Sequence, residues 1–275
     1  MRVVVLCSSV YSETGCAMAV RLAEMGYVPT GVLSLSTLNR GTLLRKLGQW
    51  GIQDVARYAR TKLFSERSDG TARVHNPELQ SFLEHGDKTF RSMRDVAAFY
   101  GFPVVVCTDQ NSVASISQLK TWVPDAIVFT GGNILRKELL QVPRLGVLNA
   151  HLGLLPEIRG MSSPEWSLLK RVPVGVTIHY MDEGIDTGPV LQRYEFHDLA
   201  RCASLSDLRN QLIAFGVEKI GEVVVALDRG TIVSAPQSDL DQDNQFFVMH
   251  EWLQARASEL LAKNRSAAGA GTANG

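Results

Sequence analysis

Two rhythms of apolar residues alternate along this chain: short continuous runs, and longer stretches with apolar positions three or four residues apart. The runs Val3–Cys7, Val28–Leu35, Val104–Cys107, Ala126–Phe129, Val147–Leu148, Val174–Tyr180 and Val190–Leu191 are bounded by glycine, proline or polar turns and read as strands. Several are almost wholly apolar, as parallel strands covered on both faces should be. Between the first two, Thr14–Met25 places Ala19, Val20 and Ala23 at helical spacing and stops before Gly26. The opening is therefore strand–helix–strand, and the predicted class is α/β: a doubly wound, mostly parallel, Rossmann-like sheet with a helical insertion and C-terminal helices.

The insertion covers about 40–100, a stretch too long for a simple crossover, with helices predicted over Leu43–Lys62 and Lys88–Phe99 and a polar loop over Ser65–Asn76. Arg40, Arg45, Lys46, Arg57, Arg60 and Lys62 concentrate positive charge there, as a solvated helix face or an anion-binding surface would. Helices are predicted again over Ser204–Arg229 and Phe246–Ala262. The expected organisation is a main domain over 1–195, a helical extension packed on it over 196–263, and a tail over 264–275. The tail's Ala, Gly, Ser, Thr and Asn bury too little apolar surface to offset ordering entropy, so disorder is expected.

Composition changes this picture mainly by exclusion. Lys plus Arg equals Asp plus Glu at 28 each, so no electrostatic pull toward nucleic acid or anionic membrane is expected. No apolar run approaches the ~20 residues of a membrane span. The amino terminus reads as a buried strand rather than a signal peptide, which places the protein in the cytoplasm. Cys7, Cys16, Cys107 and Cys202 are scattered without metal-ligand or disulfide spacing and read as buried thiols.

Chemistry concentrates between residues 146 and 188. Asn149-Ala150-His151, a Leu155-Pro156-Glu157-Ile158-Arg159-Gly160 turn, the strand Gly175-Val176-Thr177-Ile178-His179 and Asp186-Thr187-Gly188 follow in order. An amide, an imidazole and a carboxylate can together run an acyl transfer: the amide donates to a developing oxyanion, and the imidazole and carboxylate handle charge and protons. Pro156 and Gly160 shape the first turn, and Gly184 and Gly188 bracket Asp186. His179, on an apolar strand, reads as a satisfied, partly buried histidine rather than a second base. Arg159 fits either an anionic ligand or a tie within its own loop, and Trp166 fits core packing better than a stacking platform.

This ordered block resembles the catalytic domain of the 10-formyltetrahydrofolate-dependent formyltransferase family, with good coverage from about Phe102 to Leu227 and poor coverage across the insertion. The resemblance implies that Asn149, His151 and Asp186 form the catalytic set. It also implies that backbone groups of Asn133, Ile134 and Leu135, and of Asp182, Glu183 and Gly184, hold the pterin of 10-formyltetrahydrofolate, with no metal. His151 serves either as proton shuttle or as oxyanion donor. The turn after the first strand, Cys7 to Gly15, departs from relatives whose glycine- and asparagine-rich turn holds a phosphoribosyl amine. Relatives that act on transfer RNA append a basic barrel domain where this chain ends in helices. The expected reaction is thus N-formylation of a small-molecule amine through a tetrahedral intermediate, with no nucleic-acid or membrane partner; a homodimer through the C-terminal helices is compatible with the pattern. Hydrolysis of the same formyl donor and a non-catalytic folate- or nucleotide-binding role are the alternatives.

Overall fold

The computed structural model describes residues 1–36, 76–238 and 244–271. The expected helix over Leu43–Lys62, the loop from Ser65 and the basic cluster lie outside the described residues. Seven strands, β1 (Val3–Cys7), β2 (Gly31–Leu35), β3 (Val104–Cys107), β4 (Ala126–Phe129), β5 (Gly146–His151), β6 (Gly175–Tyr180) and β7 (Val190–Glu195), form one sheet. Their order is β7-β6-β5-β4-β1-β2-β3. The five strands from β5 to β3 in that order run parallel, while β6 lies antiparallel to β5 and β7 antiparallel to β6. This is the mostly parallel, doubly wound architecture the apolar runs predict, with an antiparallel edge on one side.

Helices cover both faces: α1 (Glu13–Glu24), α2 (Met93–Tyr100), α3 (Val113–Trp122), α4 (Lys137–Leu140), α5 (Ser163–Lys170), α6 (Leu205–Asp228) and α7 (Glu251–Gly271). One face packs Val3, Val5, Leu148, Val176 and Ile178 against α1 and the α6 residues Leu208, Leu212, Val217 and Val224. The other packs Val4, Leu6, Ile127 and Val147 against Leu119 of α3 and Leu139 of α4. Alternate residues of β1 thus enter opposite cores, which is why that strand has no polar position. Each fully buried Val or Leu contributes about 1.5–3 kcal/mol of transfer free energy. Cys7, Cys16 and Cys202 are buried thiols, and burial pushes the Cys7 thiol up to about 11.

Local chemistry explains where the elements begin. Ser12 caps α1 by accepting from the Gly15 N–H, and Ser204 caps α6 by accepting from the Asp207 N–H at 3.1 Å. Asp207 answers by accepting from the Ala203 N–H at 2.7 Å, a reciprocal cap. The helix expected over Lys88–Phe99 instead starts at Met93. Glu84–His85 and Lys88–Thr89 form a tight hairpin, and Ser92 caps the helix that follows. Strand β2 starts at Gly31 rather than Val28, since Pro29 has no N–H to offer a ladder. The predicted helix Phe246–Ala262 runs instead over Glu251–Gly271, while Gln245–Phe246 pairs in parallel with Arg159–Gly160. The last helix therefore enters the stretch expected to be disordered; the alanines at 267, 268 and 270 supply helix propensity there.

Candidate active site

Strand β5 extends through His151, so Asn149 and His151 belong to the sheet itself. Because side chains alternate along a strand, Val147, Asn149 and His151 share one face, while Leu148 and Ala150 enter the core beneath α6. The antiparallel register sets His179 opposite Asn149 and Thr177 opposite His151, so four polar side chains stand on one face of two adjacent strands. Thr177 anchors the turn: its hydroxyl donates to the Gly153 carbonyl at 2.7 Å and accepts from the Leu155 N–H at 3.0 Å.

Asp186 reaches this face from the loop after β6. Its Oδ2 lies 3.3 Å from His151 Nδ1 and accepts from the Gly160 N–H at 2.9 Å; its Oδ1 lies 3.7 Å from His179 Nε2. The residue holds a left-handed φ of 53°, a conformation that aspartate tolerates better than most side chains. Gly160 has φ 91°, and a side chain there would collide with the Phe246 carbonyl. At Gly188 a side chain would meet the Tyr180 carbonyl, so the Asp186 loop can fold back only through glycine.

The imidazoles have opposite environments. His179 is 1% exposed, its Nδ1 at 2.8 Å from the Tyr180 carbonyl and its Nε2 at 3.1 Å from Asn149 Nδ2. A neutral ring donating from Nδ1 and accepting at Nε2 satisfies both contacts. Burial, reinforced by the neighbouring His151, pulls its pKa down to about 4, against the upward pull of Asp186. The acceptor at Nε2 selects the NH2 end of the Asn149 carboxamide, leaving that group one further N–H and its oxygen. His151 instead faces oxygen at both nitrogens: the Ile158 carbonyl lies 2.7 Å from Nε2, and the Asp186 carboxylate faces Nδ1.

The expected donor-binding segments also sit side by side. Asn133 exchanges hydrogen bonds with Gln110, its N–H donating to Oε1 at 3.0 Å and its Oδ1 accepting from the Gln110 N–H at 3.1 Å. Asn111 donates to the Ile134 carbonyl at 3.0 Å and accepts from the Arg136 N–H at 2.8 Å. The Ile134 side chain is exposed and Leu135 is buried in the core under α4. Asp182 closes the other loop, accepting from the Gly184 N–H and the Thr187 hydroxyl. Glu183 meets Lys137 at 3.9 Å, so the two loops form adjoining walls.

Arg159 is buried, 4% exposed, on the short strand paired with Gln245. Trp166 stacks on Phe246 at 4.8 Å and donates to the Phe247 carbonyl at 3.0 Å, a packing role. Sequence reasoning missed Thr177, Gln110, Asn111 and the link from His179 to Asn149. Thr177 and His179 carry a signal, since they are polar at alternate positions of an otherwise apolar strand; Gln110 and Asn111 carry none. Among the described residues, no group of three or more His, Cys, Asp or Glu side chains could hold a metal ion, and no helix is long and apolar enough to cross a membrane.

Comparison with known proteins gives this face a context. Residues 92–224 match the family model described as Formyl transferase. The chain is 35% identical over 191 residues to the methionyl-tRNA formyltransferase of Thermodesulfovibrio yellowstonii, covering 62% of this chain and 61% of that protein. It thus spans about three fifths of that relative's length. Among solved structures it resembles glycinamide ribonucleotide transformylase 1 from Symbiobacterium toebii, with a TM-score of 0.54 and 16% identity over 86% of this chain and 94% of that one. It also resembles an N-formyltransferase from Helicobacter canadensis, solved in complex with folinic acid and dTDP-3-aminofucose. That match has a TM-score of 0.53 and 14% identity over 90% of this chain and 71% of that one. At such identities the likeness to solved structures is one of fold.

Proposed function

We propose, from the match of residues 92–224 to the formyl transferase family model, that the chain is an N-formyltransferase moving a formyl group from 10-formyltetrahydrofolate to the amine of a small molecule. The observation that carries this reading is the meeting of Asn149, His151 and Asp186 on one face of the sheet, from positions up to 37 residues apart (186 minus 149).

Formyl transfer from nitrogen to nitrogen needs an oxyanion donor, a fixed positive charge and a route for one proton. Asn149 supplies the first: with one N–H committed to His179, the other can donate to the formyl oxygen as charge develops on it, a contact worth about 3–4 kcal/mol of barrier lowering. His151 can supply the second in its doubly protonated form, which donates to both the Ile158 carbonyl and Asp186. This geometry favours charge stabilisation over shuttling for His151, whose nitrogens are both engaged. Asp186 supplies the third: Oδ2 is held by Gly160 and His151, while Oδ1, 3.7 Å from His179 Nε2, can accept the proton that the attacking amine sheds.

The folate donor supplies the formyl carbon and a nitrogen leaving group that takes up the proton. The adjoining loops at Asn133–Leu135 and Asp182–Gly184 would hold its pterin: Gln110, Asn111 and Thr187 fix those loops, and main-chain edges remain to bind a heterocycle. A cytoplasmic location and a place in biosynthesis belong to the same proposal. The small-molecule acceptor is supported by the balanced charge of the chain, which offers a polyanion no net attraction.

The test is incubation with 10-formyltetrahydrofolate and a panel of amines, including amino-sugar nucleotides, glycinamide ribonucleotide and methionyl-tRNA, following folate absorbance and acceptor mass together. One formyl mass gained by a small amine supports the reading. Gain on methionyl-tRNA alone overturns the acceptor class while leaving formyl transfer intact, and formate release without an acceptor points to hydrolysis.

A further inference from the structure

The loop that carries Asp186 is held from outside the family-matched segment. After α6 the chain returns to the sheet edge, where Ala235 bridges Val190 with paired hydrogen bonds of 2.8 Å. Two residues later, the Gln237 side chain donates from Nε2 to the Asp186 carbonyl at 2.9 Å and to the Gly188 carbonyl at 2.6 Å. Both hydrogens of one NH2 group are thereby directed at the two carbonyls that flank the Asp186–Gly188 turn. The carboxamide orientation follows, because a flipped amide would face its oxygen to both carbonyls. Its Oε1 is buried and has no partner among the described residues, so the side chain's hydrogen bonding is directed at this turn.

A clamp is needed at this point. Asp186 sits at φ 53°, outside the conformations a non-glycine residue adopts freely, and its two immediate neighbours are ordinary loop residues. The carboxylate is held in turn by the Gly160 N–H, and Gly160 is itself backed by the Phe246 carbonyl, which accepts from the Met161 N–H at 2.9 Å. Two residues therefore bear on Asp186: Gln237 grips its main chain, and Phe246 braces the residue that grips its side chain.

We propose that Gln237 is a positioning residue that holds Asp186 in the geometry required for proton transfer. The proposal rests on the formyl-transfer reading above. It does not touch substrate; it acts by keeping the Asp186 turn closed so that Oδ2 faces His151 Nδ1 and Gly160 N together.

Two variants test it. Gln237→Met keeps the length and removes both donors; Gln237→Glu keeps the shape and presents oxygen to the two carbonyls. In the absence of any substrate, hydrogen exchange at the Gly160 amide should accelerate at least about tenfold in each, with amides of β4 unchanged as the internal reference. In turnover, kcat should fall at least about tenfold with KM for the formyl donor changed less than about threefold. Should Gln237→Met fail to fold, Gln237→Glu carries both readouts. Wild-type protection at Gly160, or kcat within twofold of wild type, overturns the proposal. If the wild-type protein formylates no amine, the functional reading fails instead, and Gly160 exchange still decides whether Gln237 holds the Asp186 turn.

Discussion

Two turns leave the sheet beside a similar complement of polar side chains, the one after β1 and the one after β5, and those groups are committed in different ways. After β1, Ser9 accepts from the Tyr11 N–H at 3.2 Å and Ser12 from the Gly15 N–H at 3.1 Å, so the hydroxyls close the turn and cap α1. At the end of β5, ahead of its turn, the partners lie far along the chain: Asn149 meets His179, His151 meets Asp186, and Asp186 meets Gly160. Local closure stabilises a turn and leaves little over for a ligand. Long-range closure among buried groups builds a preorganised charge pattern, whose polar atoms have been withdrawn from water before any substrate arrives. Both turns stand at a doubly wound sheet's strand ends, where ligands commonly bind; the difference lies in where the hydrogen bonds go.

That contrast can be broken by mutation. The largest effect is expected for His151→Ala, which removes the imidazole between Asp186 and the Ile158 carbonyl: kcat should fall about 10³-fold while circular dichroism and the melting transition stay near wild type. Asn149→Ala should lower kcat about 10²–10³-fold, with KM for the donor nearly unchanged, because the lost contact strengthens only as the oxyanion forms. His179→Phe keeps the volume but deprives the Asn149 carboxamide of the acceptor that orients it, and should cost about tenfold in kcat through misplacement.

His179 also sharpens the comparison through pH. Its folded pKa of about 4 lies below the ordinary imidazole value of 6.5, so between those values the unfolded chain binds the extra proton and the folded chain does not. Stability contributed by the neutral ring is present above about pH 6.5 and is lost as pH falls toward 4, by about 3 kcal/mol across the window. Urea titrations should find this part of the acid slope missing in His179→Phe. The smallest effect belongs to the other turn. Ser12→Ala should lower stability by about 1 kcal/mol through the lost cap and leave kcat within twofold; a hundredfold loss of kcat would place chemistry at the β1 turn and dissolve the contrast.

The sequence made some of this legible and hid the rest for physical reasons. Continuous apolar runs disclose parallel strands because both faces are covered, and the candidate set Asn149, His151 and Asp186 was legible through the resemblance of its ordered block to the formyltransferase family. Helix starts depend on single capping contacts, so Ser92 and the hairpin ahead of it displaced the expected start of α2 from Lys88 to Met93. Gln110, Asn111 and Gln237 act by folding onto distant main-chain atoms, and no periodicity records such a contact. His179 was legible as a buried, satisfied histidine; that its partner is the Asn149 carboxamide follows only from the antiparallel register of β5 and β6.

Formyl transfer under saturating donor and amine by Asp186→Asn, which keeps the side chain's shape and removes its charge, is the most direct measurement. The arrangement predicts a loss of at least about 10³-fold in the chemical step, with the fold and donor binding retained. Turnover within fivefold of wild type would contradict it.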